Sequence, residues 1–368
     1  MAGREILLFT LFFSIYSLVN LYIFYRGWKV LPKSSLLKGI YRIVFFIFYS
    51  AFIIAMLFRE ILLPEILKPM YLIGTLWLGA TLYLTIYFLI TDIVYLLFRS
   101  IRFRQIQVIA GYLLIGVVLC IGYYQFNHPQ RVEKTIVVHK DGGKYEKLKV
   151  VAFGDLHLGM SIDKKELQKH VQRINAEKPD IILFSGDMVD NSTHLLEKEK
   201  MYEEINQLQA PLGVYSCLGN HEYLSNIEKS HAFFQKTNLT LLIDSVVQVE
   251  ESFWIIGRDD KKLNPNRKSL ETLAQQTDLS QPLILLDHQP YSLEEAEKNG
   301  IDIQLSGHTH NGQIWPGSLI ANYIFEVAYG YKQKGNTHIY VTSGLGLWGP
   351  PLRLGTQSEW VVFNIEFK

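Results

Sequence analysis

Cysteine is scarce in this sequence, and neither charge is in excess. Two cysteines, Cys120 and Cys217, stand far apart among 368 residues, which excludes a disulfide framework and a cysteine-based zinc site. The formal net charge is +1, so the chain lacks the basic surface typical of nucleic-acid binding, and no nucleic-acid partner is expected. What is abundant instead is apolar sequence, which makes up 49% of the residues and is unevenly distributed.

Four long apolar runs fill the first third of the chain. They cover residues 6–25, 43–62, 70–97 and 106–126 approximately. A helix needs about 20 apolar residues to cross the hydrocarbon core of a bilayer, so residues 1–126 are predicted to form a membrane region with four transmembrane helices. A buried soluble helical domain is the weaker interpretation, because four such runs are too many for a core of that size. The first run also lacks the small-residue cleavage site of a removed signal peptide.

Basic residues are unevenly distributed between the loops that join these runs. The loops after the first and third runs carry eight: Arg26, Lys29, Lys33, Lys38, Arg42, Arg99, Arg102 and Arg104. The opposite side carries three: Arg4, Arg59 and Lys68. Short loops rich in lysine and arginine stay in the cytoplasm. The N-terminus and the large C-terminal domain are therefore predicted to be extracytoplasmic.

Beyond a predicted linker at residues 127–146, runs of strand length alternate with segments of helical spacing. Strands and their loops are predicted in "KLKVVAFGDLHLG", "DIILFSGDMVDN" and "GVYSCLGNHEY". Later strands are predicted in "PLILLDHQP", "IDIQLSGHTHNGQ", "THIYV" and "EWVVFNIEF". This alternation predicts an α/β domain over residues 147–368, with two packed sheets flanked by helices.

A pair of histidines stands between two glycines in "SGHTHNGQ", residues 306–313. A histidine pair in a loop is usually solvated surface. This pair follows the mostly apolar strand "IDIQL", and side chains two residues apart on an extended segment point the same way. His308 and His310 can therefore reach one point in space, which is the geometry of metal ligands.

Four other loops also place polar side chains directly after an apolar strand. Together the five loops carry Asp155, His157, Asp187, Asn220, His221, His288, His308 and His310. Loops at the carboxyl ends of strands in an α/β fold converge on one crevice, and oxygen and imidazole groups are ligands for divalent cations. One such loop alone is more often a turn, whereas five in this order favour a metal site.

The order Asp-x-His, Gly-Asp, Gly-Asn-His-Glu, His and Gly-His-x-His resembles the signature of the calcineurin-like metallophosphoesterase superfamily. The resemblance extends over residues 149 to about 366 and implies a four-layer α-β-β-α sandwich. The segments "GHTHNGQIWPGSL" and "YVTSGLGLWGPPLRLG" further resemble its membrane-associated branch, which includes bacterial membrane phosphoesterases. Asn311 stands where that branch usually has glycine, a departure that concerns the wall of the substrate site.

The resemblance implies a role for each of these side chains. One divalent cation would be held by Asp155, His157, Asp187 and His310, and a second by Asp187, Asn220, His288 and His308. The cations are expected to be Mn, Fe or Zn, among which ligand type does not choose. The resemblance further implies that His221, next to a ligand in sequence, contacts the phosphate and protonates the leaving oxygen.

Two classes of function remain open from the sequence. The first is a membrane-anchored phosphoesterase that hydrolyses phosphoester or pyrophosphate bonds, with a lipid or lipid-linked molecule as one candidate substrate. Its partners are then the lipid bilayer and a phosphate-bearing substrate. The second is a catalytically silent membrane scaffold or sensor with the same fold. The complete ligand set and the histidine at position 221 favour the enzyme.

Two further polar residues lie near these motifs. Asp190 in "GDMVDN" is interpreted as a turn residue or a support for the ligands. Arg258 in "GRDD" is interpreted as a surface residue rather than a phosphate contact. Both interpretations depend on whether the side chains of Asp190 and Arg258 are buried, which the neighbouring residues do not indicate.

Overall fold

The computed structural model describes residues 2–59, 61–98 and 101–368, and the chain divides into two compact units. The first unit comprises Met1–Tyr124 and Pro350–Leu352. The second comprises Gln125–Gly349 and Arg353–Lys368. The division after residue 124 lies close to the predicted end of the membrane region at residue 126.

The first unit is built from long α-helices with mostly apolar side chains. These are α1 Ala2–Val30, α2 Ser35–Leu57, α3 Pro64–Phe98 and α4 Ile101–Asn127. Three segments are long and apolar enough to cross a membrane: Ser35–Leu57, Pro64–Leu97 and Phe103–Asn127. An apolar run of this length forms a helix in lipid because a helix satisfies its backbone polar groups within the segment.

The prediction of four transmembrane helices is corrected to three candidate helices within the described part of the chain. The run at residues 6–25 does form a helix, α1, but the second half of α1 contains Asn20, Arg26 and Lys29. Because of these polar side chains, the described part of α1 is not among the segments apolar enough to cross a membrane.

The helix ends also differ from the predicted runs. α2 begins before residue 43 because Ser34 caps it, its side chain accepting a hydrogen bond from the backbone nitrogen of Leu37. α3 begins at Pro64, a position where the missing backbone N–H of proline costs no helical hydrogen bond. Two residues used in the predictions lie outside the described residues. They are Glu60, within the predicted second run, and Arg99, one of the basic residues used to predict the orientation.

Polar contacts join α1 to α3 inside the first unit. The Arg26 guanidinium, 1% exposed, forms an ion pair with the Asp92 carboxylate, and Tyr22 Oη donates to the same carboxylate at 2.5 Å. Trp77 Nε1 donates to Asn20 Oδ1 at 2.8 Å. The prediction that Arg26 lies in a loop is therefore wrong, and its ion pair explains how a cation is accommodated between helices.

The second unit combines two β-sheets with short helices. Its strands are β1 Gln130–Val138, β2 Lys147–Phe153, β3 Ile181–Phe184, β4 Val214–Ser216, β5 Thr240–Leu241, β6 Ser245–Val249, β7 Phe253–Gly257, β8 Leu283–Leu286, β9 Ile303–Ser306, β10 Gly330–Lys334, β11 Thr337–Val341 and β12 Glu359–Phe367. Its helices are α5 Lys164–Ala176, α6 His194–Lys198, α7 Tyr202–Ile205, α8 Asn220–Leu224, α9 Ile227–Phe234, α10 Leu270–Ala274, α11 Glu294–Lys298, α12 Gly317–Ile324 and a 3-10 turn at His310–Gly312.

Each sheet has six strands, and the two sheets share an apolar core. The strand orders are β1-β12-β2-β3-β4-β5 and β10-β11-β9-β8-β7-β6. Val150 and Leu183 of the first sheet belong to one buried cluster with Ile284 and Ile303 of the second. Separate clusters bury α5 against the first sheet and α10 against the second. The predicted α/β class with two packed sheets is therefore confirmed.

The segment predicted as a linker contains a strand of the first sheet. β1 runs parallel to β12, with Ile136 beside Ile365 and Val138 beside Phe367. Ile136 and Val138 alternate with partly exposed residues and are each 2% exposed, the period-two pattern of a half-buried strand. The sequence predicted a linker over residues 127–146 and missed the strand within it, because the strand that completes this pairing lies far along the chain.

Candidate metal centre

The predicted ligands all stand in loops or helix starts that directly follow a strand. β2, β3 and β4 are parallel neighbours in the first sheet, and β7, β8 and β9 are parallel neighbours in the second. The carboxyl ends of parallel strands meet at one edge of a sheet. The following loops carry Asp155 and His157 after β2, Asp187 after β3, Asn220 and His221 after β4, His288 after β8, and His308 and His310 after β9.

The backbone at five of these residues adopts the left-handed region. The φ angles of Asp155, His157, Asp187, His308 and His310 lie between 47° and 71°. Residues other than glycine rarely adopt such angles, and they occur most often where the surrounding structure fixes a functional side chain. The loops thus turn sharply at the points from which the predicted ligands project.

The first cluster consists of Asp155, His157 and His310, all buried, whose ligand atoms lie within 4.8 Å of one another. The Nε2 atoms of His157 and His310 face each other at 3.0 Å. His310 Nε2 is 3.5 Å from Asp155 Oδ1. Two ring nitrogens and a carboxylate oxygen directed at one point form a donor set that fits a divalent cation.

The second cluster consists of Asp187, His288 and His308, also within 4.8 Å of one another. His288 Nε2 is 3.1 Å from Asp187 Oδ2 and 3.2 Å from Asn220 Oδ1. The other ring nitrogen, Nδ1, lies 2.8 Å from the carbonyl oxygen of Ser185. A backbone carbonyl at Nδ1 orients the ring and leaves Nε2 available as a ligand.

Opposite charges at the second cluster shift the pKa values of its members in opposite directions. Burial alone would lower the pKa of His288, but the Asp187 carboxylate raises it to about 10. Burial alone would raise the pKa of Asp187, but His288 lowers it well below its usual range. Burial lowers the pKa of His308 to about 3, and it lowers that of His310 well below its usual range. The last two imidazoles are therefore neutral at pH 7, the form that binds a metal.

His221 forms a third group of possible metal ligands with His157 and Asp187, and it makes further contacts of its own. Its backbone N–H donates to Asp187 Oδ1 at 2.8 Å. Its Nδ1 lies 2.9 Å from the carbonyl oxygen of Asp190 and 3.5 Å from the Asp190 carboxylate. Burial opposes protonation, but Asp187 and Asp190 raise the pKa of His221 to about 9. The two carboxylates thus favour the protonated ring, which is the form that can donate a proton.

Asp190 supports the site rather than forming a surface turn. It is buried, 5% exposed, and its Oδ1 lies 3.6 Å from His157 Nδ1 as well as near His221. Burial alone would raise the pKa of Asp190, but its contacts with the two histidines lower it. One carboxylate thereby faces the Nδ1 atoms of two imidazoles at the site.

Glu222 is a site residue that no sequence argument identified. It is completely buried, and its carboxylate accepts backbone hydrogen bonds from Asp187, Met188, Val189 and Gly219 at 2.7–3.2 Å. It thereby holds the loop after β3 against the loop after β4. Its place directly after Asn220 and His221 in "GNHE" was the available signal.

The interpretation of Arg258 as a surface residue is wrong. It is 7% exposed, and its Nη1 lies 3.0 Å from Glu295 and 3.3 Å from Asp287. Arg267 also pairs with Asp287. Asp287 directly precedes His288 in the chain, so these arginines compensate a buried carboxylate behind the second cluster.

Comparison with known proteins agrees with this geometry. Residues 148–312 match the family model for calcineurin-like phosphoesterases. An uncharacterized metallophosphoesterase of Aquifex aeolicus is 34% identical over 247 residues, which are 65% of this chain and 92% of the relative. One of Campylobacter jejuni is 28% identical over 369 residues, 96% of each chain. The Danio rerio transmembrane protein with metallophosphoesterase domain is 29% identical over 255 residues, 65% of this chain.

The length covered differs between relatives. The chain spans 57% of the Danio rerio relative and 58% of a Helicobacter pylori metallophosphoesterase. The matched region contains the loops that bring the predicted ligands together. The chain belongs to the calcineurin-like metallophosphoesterase family, a class of phosphoester hydrolases.

Proposed function

We propose that the second unit hydrolyses phosphoester or pyrophosphate bonds at a centre of two divalent cations. The observation that carries the proposal is the convergence of oxygen and imidazole donors, most of them buried, into three groups of possible metal ligands. The third group, His157, Asp187 and His221, shares one residue with each of the two clusters described above. In this proposal the first cation is held by Asp155, His157, Asp187 and His310, and the second by Asp187, Asn220, His288 and His308. The mixed nitrogen and oxygen donors suit Mn, Fe or Zn.

The protein's own groups divide the remaining chemistry between them. When bound, two divalent cations would activate a water molecule and stabilise charge on the phosphoryl oxygens. His221 gives its proton to the leaving oxygen, because it is not one of the proposed ligands and the Asp190 carboxylate lies 3.5 Å from its Nδ1. Asp190 keeps the ring of His221 in place through Nδ1, so Nε2 is the nitrogen free to act as the acid.

Chelation of the full chain, purified in detergent, tests the proposal. Turnover of a phosphomonoester, a phosphodiester and a lipid-linked pyrophosphate is measured before metal removal, after it, and after addition of Mn²⁺, Fe²⁺ or Zn²⁺. We expect metal removal to abolish hydrolysis of at least one substrate and metal addition to restore it. Full metal content with no turnover of any of the three would instead support the catalytically silent scaffold.

We further propose a lipid or lipid-linked substrate. Apolar side chains are exposed on α12 and beside it: Trp315, Leu319, Ile320, Tyr323, Ile324 and Trp348. α12 starts seven residues after the proposed ligand His310. An apolar patch of this kind is characteristic of an interaction surface, and tryptophan favours the interface between membrane and water.

Membrane anchoring by residues 1–126, with the catalytic domain outside the cytoplasm, is part of the same proposal. The three apolar helices support it, as do the basic residues near the end of α1 and the start of α2, Arg26, Lys29, Lys33, Lys38 and Arg42. A cysteine introduced at the exposed Leu279 and labelled with a membrane-impermeant reagent tests on which side of the membrane the catalytic domain lies. With Cys120 and Cys217 replaced by serine, labelling on intact cells is expected. Labelling only after cell lysis would contradict the extracytoplasmic orientation.

A further inference from the structure

A fully buried arginine lies behind the first cluster and belongs to none of the predicted ligand sets. Arg353 is 0% exposed, and its guanidinium faces backbone carbonyl oxygens. Nη1 donates to the carbonyl of His310 at 2.9 Å. Nη2 donates to the carbonyls of Ser343 and Gly346, each at 2.7 Å. Nε donates to Ser358 Oγ at 3.0 Å. Arg353 therefore joins the loop after β9 to the loop after β11.

The loop after β11 packs directly against the backbone of Asp155. Gly346 N–H donates to the carbonyl of Asp155 at 2.9 Å. A Cβ at Gly346 would lie 2.0 Å from the carbonyl oxygen of Leu156, and one at Gly344 would lie 2.8 Å from Asp155 Cβ. Both glycines are thus required for this close approach. The carbonyls that Arg353 binds belong to the two segments that fix Asp155 and His310.

We propose that Arg353 is a positioning residue for the first metal site, one that sets the separation of Asp155 and His310. The inference rests on the proposed function, in which both residues are ligands. A guanidinium presents five N–H donors in a rigid plane, and here that plane serves acceptors from both ligand-bearing segments. A lysine ammonium has three donors at one point and cannot reach the same set of carbonyls.

The consequence is specific to one site. Without the guanidinium, buried carbonyls on both sides lose their donors, and such groups move or admit water to regain a partner. Asp155 and His310 then no longer converge as they do in the native site. The side-chain hydrogen bonds of Arg353 go to Ser358, His310, Ser343, Gly344 and Gly346. Because these partners do not include Asp187, His288 or His308, the donor set of the second cluster is expected to persist.

Metal binding by the full chain in detergent tests this inference. Metal-free wild type, Arg353→Lys and Arg258→Lys are titrated with Mn²⁺ by calorimetry. His310→Ala identifies which binding event belongs to the first site. We expect Arg353→Lys to weaken that event by about 10–100-fold, the effect typical of groups that orient metal ligands, and to leave the other event unchanged. Arg258→Lys, the matched change at another buried arginine, should not alter the first-site event.

The pattern of binding across the variants distinguishes a specific effect on the first site from a general loss of structure. Unchanged binding, or equal weakening of both events, in Arg353→Lys would overturn the inference. Should that variant fail to fold, Ser358→Ala keeps the arginine and removes the acceptor of Nε. It is expected to weaken the first-site event to a smaller extent, and unchanged affinity there would overturn the inference equally. Absence of any Mn²⁺ binding by the wild type would instead contradict the proposed function.

Discussion

Asp187 occupies the position on which both candidate clusters depend. Its Oδ2 lies 3.1 Å from His288 Nε2 in the second cluster and 3.7 Å from His157 Nε2 in the first. A single carboxylate between two cations offsets part of their mutual repulsion. Asn220 Oδ1, by contrast, lies 3.2 Å from His288 Nε2 in the second cluster. The two residues should therefore differ in how many sites they support.

Substitution of these two residues distinguishes a bridging ligand from a single-site ligand. We expect Asp187→Asn to reduce bound metal from about two equivalents to well below one, because both cations lose a shared negative ligand. Asn220→Ala should leave close to one equivalent. Metal analysis of the purified variants checks this. Loss of the same single equivalent in both would show that Asp187 does not bridge.

Removal of His221 should separate metal binding from turnover. We expect His221→Ala to retain the metal content of the wild type and to lose about 10²–10⁴-fold in turnover, the usual contribution of a general acid. The loss should be largest for substrates with a poor leaving group, which need protonation most. His194→Ala, a change at an exposed histidine, is the control. Unchanged turnover of a poor leaving group by His221→Ala would exclude the acid role.

At the scale of secondary-structure elements, the sequence predicted the features that depend on a local pattern of residues. Each of the eight proposed site residues follows an apolar strand, and parallel pairing brings such strand ends together without further information. β1 could not be predicted in this way, since Gln130 of β1 pairs with Glu359 of β12, far along the chain. Arg353 and Glu222 were also missed. Both bind backbone groups of other loops. The motif "GNHE" contains Glu222, but it does not show which backbone groups the side chain binds.

Helix α5 carries a buried histidine that should make stability depend on pH. His170 is 4% exposed, and burial, with Arg173 and Lys169 nearby, lowers its pKa to about 3. The unfolded chain, with a histidine pKa of about 6.5, binds a proton below that pH that the folded chain does not. The free energy of unfolding should therefore fall by about 1.4 kcal/mol per pH unit between pH 6.5 and 3.

Replacement of this histidine should remove that part of the acid sensitivity. Between pH 6.5 and 5, the wild type is expected to lose about 2 kcal/mol more stability than His170→Leu. Urea unfolding of both proteins in detergent, followed by tryptophan fluorescence, measures the difference. His194→Leu serves as the control at an exposed position. Identical pH slopes for wild type and His170→Leu would mean that His170 is protonated in the folded state.

At the scale of the whole molecule, the lipid proposal depends on the exposed apolar side chains near the site. Trp315 is 47% exposed and Trp348 is 51% exposed. If they contact lipid, each Trp→Ser change should reduce turnover of a lipid-linked substrate about tenfold, since burial of a large apolar side chain contributes about 1.5–3 kcal/mol. Turnover of a soluble ester should change little. Leu279→Ser is the control, at a side chain that is 54% exposed and precedes β8. Equal losses on the lipid-linked substrate and the soluble ester in the Trp→Ser variants would contradict the lipid proposal.

The strand order of the first sheet also determines when this domain can fold during synthesis. β12 lies between β1 and β2, so neither of these strands has its shared neighbour until about 200 further residues have been translated. Ribosomes add roughly 5–20 residues per second. Every new copy therefore passes through an interval on the order of 10–40 s in which apolar strand edges stand open to mispairing. Protection of nascent chains is consequently a requirement that this topology places on the cell.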